Sequence, residues 1–106
     1  MDEYKTIYGL VVYDKDLGKM KWKEAIKACE DLGNGWRLPN KDELVLLFEN
    51  KDIIGDFGDR SYWSSSTKKG ITRFIFSNSF FVDFKRGSCF EISQDRDLYV
   101  RPVKNK

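Results

Sequence analysis

The chain has no histidine at all among its 106 residues. That removes the commonest general base and the commonest zinc ligand. It also excludes a serine triad and a Cys–His dyad. Proline occurs only twice, at Pro39 and Pro102, so few breaks are imposed on regular structure. There are two cysteines, Cys29 and Cys89, and their separation of 60 positions matches neither a metal knuckle nor a redox pair. No run of some twenty apolar residues is present, so no membrane span is expected. No glycine motif that would cradle a phosphate occurs either. The first residues, Met1-Asp2-Glu3-Tyr4-Lys5, lack the basic start and apolar stretch of a secretory signal. The expectation is a chain that folds in a cytoplasm and reaches any surface or virion as part of a larger assembly.

What is present is aromatic. Phe occurs eight times and Trp three times, and rings of that size bury a large area each. One domain covering residues 1–106 is therefore expected to build a compact core without staples. The net charge of +2 is too small to point to nucleic acid. Its distribution is uneven. Residues 1–60 carry 10 basic and 13 acidic groups, net −3, whereas 61–106 carry 9 and 4, net +5. An anionic partner would be drawn to the second half.

Hydrophobic spacing gives the elements. Ile7 to Tyr13 is β-branched and aromatic and reads as a strand, followed by a turn over Asp14–Gly18. Between Met20 and Leu32 the period changes, with Trp22, Ala25, Ile26, Cys29 and Leu32 on one helical stripe, and Gly33 and Gly35 end it. Cys29 reads as a small core residue. Asn40 is a good N-cap, and Glu43 three residues on completes a capping box for a helix ending near Asn50. The rest reads as strands at Tyr62–Ser65, Thr72–Phe76, Phe80–Phe84, Ser88–Ile92 and Leu98–Arg101. Lys85-Arg86-Gly87 looks like a hairpin turn, and Pro102 places the last strand at an edge or ends it. Strand, two helices and a run of strands give an α+β class, with helices closing over one side of an antiparallel meander.

Four segments carry a family likeness: Met20–Ala25, the Gly35-Trp36-Arg37-Leu38-Pro39-Asn40-Lys41-Asp42-Glu43-Leu44 stretch, Tyr62–Ser66, and Tyr99–Val103. In this order they resemble the Lcl C-terminal domain family, named after a collagen-like bacterial adhesin. That family is similar to the formylglycine-generating-enzyme branch of the C-type lectin fold. The resemblance implies a C-type-lectin-like domain: two helices packed on a twisted antiparallel sheet, with first and last strands together and ligand-binding loops on one side. Bacterial and phage surface proteins carry such modules. Members often have one cysteine in the first helix, matched by Cys29, and another where this chain has Pro102. The implied cross-link is therefore absent, and two reduced thiols are expected. Enzymatic relatives hold copper with a cysteine pair, and neither cysteine here has a second one near it in sequence. The sugar-binding motifs of calcium-dependent lectins do not occur.

The motif residues Trp22, Trp36, Arg37, Asn40, Glu43, Trp63 and Arg101 are expected to be scaffold. Trp36 and Trp63 should be core rings, Arg37 and Arg101 should make charge-assisted bonds, and Glu43 should accept from Arg37. Ser64 and Ser65 should satisfy backbone groups. No catalytic residue, cofactor or metal site is expected. Asp14 with Asp16, and Asp56 with Asp59, lack the spacing of a calcium loop. Asp83 and Glu91 could face each other across the hairpin, though solvated acids are the plainer reading. Recognition remains. The candidate contact residues are Lys68, Lys69, Asn78, Ser79, Lys85, Arg86, Gln94 and Arg96, on loops that mix cations, amides and hydroxyls near Phe80 and Phe81. A glycan or protein ligand would suit them. The alternative is an assembly protein acting through subunit contacts at an edge strand or at Phe80-Phe81.

Overall fold

The computed structural model describes residues 4–67 and 78–106. The expected strand at Thr72–Phe76 lies outside them. In chain order the elements are β1 (Lys5–Ile7), β2 (Leu10–Val12), β3 (Lys19–Met20), α1 (Trp22–Asp31), α2 (Lys41–Glu49), α3 (Lys51–Ile54), β4 (Ser61–Thr67), β5 (Asn78–Asp83), β6 (Ser88–Ser93), β7 (Leu98–Tyr99) and β8 (Val103–Asn105).

They form two sheets. A small one has the order β1-β2-β8, and a larger one β3-β7-β4-β5-β6. β2 pairs with β8 antiparallel, Val12 opposite Val103, so the two ends of the chain meet as the resemblance implied. The single strand expected over Ile7–Tyr13 is two strands. Tyr8 (φ 48) and Gly9 (φ 84) turn the chain back between them, and composition alone gives no warning of a tyrosine in that left-handed region. The last strand is also divided. Val100–Pro102 leave the ladder after Tyr99, because proline brings no N–H, and Val103 restarts pairing with β2 in the other sheet. The larger sheet is not a plain meander, since β7 inserts beside β4 in a parallel sense, Tyr62 opposite Tyr99.

Tyr62 and Trp63 are both fully buried, and as neighbours on one strand they point to opposite faces. Tyr62 joins a core with Leu44 and Leu47 of α2, Val82, Phe84 and Val103. Trp63 joins a second core with Ala25 and Cys29 of α1, Leu38 and Val100. The two helices thus cover opposite faces of β4, not one side. Each face stays dry because the strand alternates with period two and each helix presents one apolar stripe. The Asn40 box forms as its spacing predicts. Asn40 Oδ1 accepts from the Glu43 N–H at 2.8 Å, and Glu43 Oε1 accepts from the Asn40 N–H at 2.9 Å.

Candidate functional site

The scaffold residues set the frame. Arg37 donates from both terminal nitrogens to Glu43, at 2.7 and 2.9 Å, and from Nη2 to Asn105 Oδ1 at 2.8 Å. The clamp locks the start of α2 to β8. Its strong bonds hold the Glu43 carboxyl below the usual carboxylate range and raise Arg37. Trp22 Nε1 donates to the Ser64 carbonyl and Trp63 Nε1 to the Met20 carbonyl, both at 2.8 Å. Trp36 is buried, edge-on to Tyr4 and Tyr13, with the Lys104 ammonium over its ring. Ser64 is buried; it donates to the Phe80 carbonyl and accepts from the Ser66 N–H. The second hydroxyl that serves the backbone is Ser66, which accepts from the Lys41 N–H, whereas Ser65 is exposed.

Arg101 is 1% exposed, and its partner was not foreseen. Asp16, expected as a turn residue, accepts from Arg101 Nε at 2.9 Å through Oδ1 and from Tyr62 Oη at 2.9 Å through Oδ2. Arg60 also donates to Oδ2 at 2.7 Å. Burial, then the Asp16 charge, pushes the Tyr62 phenol up to about 12. Arg101 Nη2 further donates to the Asp56 carbonyl at 2.6 Å, and the guanidinium lies over Phe57. Arg101 and Asp16 are 85 residues apart in sequence, and no local spacing rule reaches that far.

A cleft of about 90 Å³ lies above this cluster, lined among others by Lys5, Asp14, Asp56 and Arg101. It is room for about three waters, far below the ~300 Å³ at which small-ligand sites begin. Among the described residues, no group of three or more acids or cysteines is placed to hold a metal. Asp83 and Glu91 do not face each other. Asp83 pairs with Ser88 and Glu91 with Phe80, so the two carboxylates point to opposite faces of the sheet. Cys29 and Cys89 are free thiols, one buried and one exposed. Burial pushes Cys29 up to about 12, and Cys89 is raised as well. Neither has the lowered pKa of a reactive thiol.

The candidate contact residues separate into two groups. Lys85 and Arg86 occupy the turn between β5 and β6 and are exposed. Asn78, Ser79, Gln94 and Arg96 lie at the other end of that hairpin. The length of β5, about 17 Å at ~3.4 Å per residue, lies between the groups. One protomer therefore does not gather them on a single surface. Lys68 and Lys69 are outside the described residues. Ser79 is fully buried and its hydroxyl accepts from Gln94 Nε2 at 2.9 Å, so it supports the loop instead of facing a ligand. Asn78 donates to Glu91 Oε1 at 3.2 Å. Phe80 lies under the Lys41 ammonium, and Phe81 packs against the α1 core.

The 93–97 loop is held at its stem. The Gln94 carbonyl accepts from the Trp22 N–H at 3.1 Å, the Gln94 side chain holds Ser79, and Ser93 Oγ donates to Asp95 at 2.6 Å. Asp95, Arg96 and Asp97 are exposed on this fixed stem. Asp95 and Asp97 flank the candidate contact Arg96 in this loop.

Solved structures share this arrangement. Botrocetin superposes with a TM-score of 0.69 at 10% identity, covering 100% of this chain and 98% of that one. Botrocetin in complex with a von Willebrand factor A1 domain mutant gives 0.67 at 12%, covering 100% and 98%. The snake venom toxin convulxin gives 0.68 at 9%, covering 100% and 97%. The fold is thus α+β and C-type-lectin-like. The model of the Lcl C-terminal domain matches residues 5–104, and the chain belongs to that family. No curated protein matches it in sequence.

Proposed function

We propose that this domain is a non-catalytic recognition module that binds a protein partner through the rim where β5 begins and β6 ends, with Gln94, Asp95, Arg96 and Asp97 as its contacts. The pinned 93–97 loop carries this reading. Three charged side chains stand exposed on a backbone fixed by α1 and β5, so little ordering entropy is lost when they meet a partner. The mixed charge suits a protein surface better than a polyanion. A neighbour of the same fold, botrocetin, is solved in complex with a protein domain. The absence of histidine, the commonest general base, supports a role without catalysis. A glycan is the other ligand class, and a bacterial or phage surface assembly is the setting we propose.

Protein and glycan arrays test the reading. A protein hit whose binding is lost in Arg96→Glu and kept in Lys5→Glu supports it. A hit on glycans only, or loss on Lys5→Glu with Arg96→Glu unaffected, contradicts it and moves recognition elsewhere.

A further inference from the structure

The free sheet edges among the described residues are unequally guarded. Native proteins blunt such edges with short strands, lysine, proline or covering segments, because a bare edge pairs with whatever strand it meets. β3 is two residues long. β1 has three and begins with exposed Lys5. β8 is covered on its outer side by the bridge between Arg37 and Val103. β6 differs on each count. It ends the larger sheet, runs six residues, Ser88-Cys89-Phe90-Glu91-Ile92-Ser93, and holds unbroken register with β5. It contains no lysine, arginine or proline, and Phe90 is 54% exposed at its middle.

We propose that β6 pairs antiparallel with β6 of a second copy of this chain, making a two-fold dimer in which the two larger sheets become one continuous sheet. A two-fold axis perpendicular to the sheet keeps each face continuous, so opposed residues must share the same side of the strand. Three central registers satisfy this. Centring on Glu91 sets two carboxylates opposite each other, which is destabilising. Centring on Cys89 sets Gly87 against Glu91 and Ser88 against Phe90, leaving both large side chains without an apolar neighbour. Centring on Phe90 sets the two Phe90 rings against each other, flanked by Ser88 and Ile92, and sets Glu91 against Cys89. Aromatic pairs of this kind are the favoured cross-strand contact. Phe90 already leans on Phe81, with ring centroids 5.9 Å apart, so the join continues an apolar strip that reaches the α1 core.

Charge is compatible with the same register. The basic Lys85-Arg86 turn of one copy then runs beside the 93–97 loop of the other, where Asp95 to Asp97 sum to one negative charge. The two groups of candidate contacts, separated by the length of β5 within one chain, come together across the axis. The pairing itself stands on the edge and is tested without any ligand.

Sedimentation equilibrium from about 1 µM to about 1 mM should show a reversible monomer–dimer equilibrium. Phe90→Lys, checked for folding by circular dichroism, sets two cations opposite each other and should weaken it by more than about tenfold. The register is read by oxidation with glutathione disulfide. In Cys89→Ser/Phe90→Cys the new thiols lie on directly opposed residues, about 4.5–5.5 Å between Cα atoms, and should link two chains. In the unaltered chain the two Cys89 residues are offset by two positions, about 8 Å, and should not link. A single-chain mass at every concentration overturns the proposal, as does a dimer that survives Phe90→Lys. Cross-linking through Cys89 but not through Phe90→Cys overturns the register. An edge that captures an extended foreign peptide while the chain stays monomeric overturns the second copy as occupant.

Discussion

Arg101 binds Asp16 through two of its nitrogens, Nε at 2.9 Å and Nη2 at 2.8 Å from the same carboxylate oxygen, with the guanidinium 1% exposed. The bond joins the segment after β7 to the turn before β3, and Asp16 passes it on to Tyr62 in β4. A buried guanidinium is tolerated only while its partners hold. Asp16→Ala should therefore cost about 3–5 kcal/mol in a urea melt, as expected for an ion pair broken by removing one partner. Arg60 touches the same carboxylate from the solvent side, and Arg60→Ala should leave stability nearly unchanged.

The Tyr62 phenol offers a second reading of the same contact. Its pKa is raised from the ordinary tyrosine value of 10.0 to about 12 by burial and by Asp16. An acid whose folded pKa lies above its unfolded value stabilises the fold fully below the lower value and loses that contribution as pH rises through the folded one. Stability should therefore fall between about pH 10 and about pH 12. Phenolate absorbance at 295 nm should show one late-titrating tyrosine, and Asp16→Asn should bring it earlier.

On the acid side the Arg37–Glu43 clamp governs. Glu43 has its pKa lowered chiefly by the Arg37 bond, so its contribution is present above the usual glutamate value and is lost as pH falls through the depressed one. Glu43→Ala removes both the clamp and half of the capping box and should cost about 1–2 kcal/mol. Glu43→Gln keeps the cap and should cost less. In acid melts the unaltered chain should lose stability toward that of Glu43→Gln.

The thiols should differ sharply. Cys89 is exposed and Cys29 lies in the α1 core with its pKa pushed up to about 12. One equivalent of thiol should react with a chromogenic disulfide in the native state and two in denaturant. Two native equivalents would show that the α1 core opens.

Gly87 closes the β5–β6 turn at φ 77, and a Cβ there would strike the Phe48 ring. Gly87→Ala should cost more than the ~1 kcal/mol of backbone strain alone, since Phe48 must also move.

What could be read from the chain followed the range of the forces. The Asn40–Glu43 box, the Lys85-Arg86-Gly87 turn and the α1 stripe are local patterns, and each is where its spacing put it. The Arg37–Glu43 bond spans six residues and was equally visible. Asp16 escaped notice because its three partners arrive from 44 to 85 residues away. The split of the candidate contacts between the two ends of the hairpin follows from strand length, which the loop composition does not encode. The opposite burial of Tyr62 and Trp63 could have been read, since adjacent strand residues must point apart. That alternation shows the helices on two faces.

Recognition at the 93–97 rim is measured most directly by hydrogen exchange with and without a captured protein partner. The account predicts new protection at 78–80 and 93–97, with the exposed faces of α1 and the cleft beside Asp56 unchanged. Protection confined to that cleft or to the helices, with the rim exchanging as before, would contradict it.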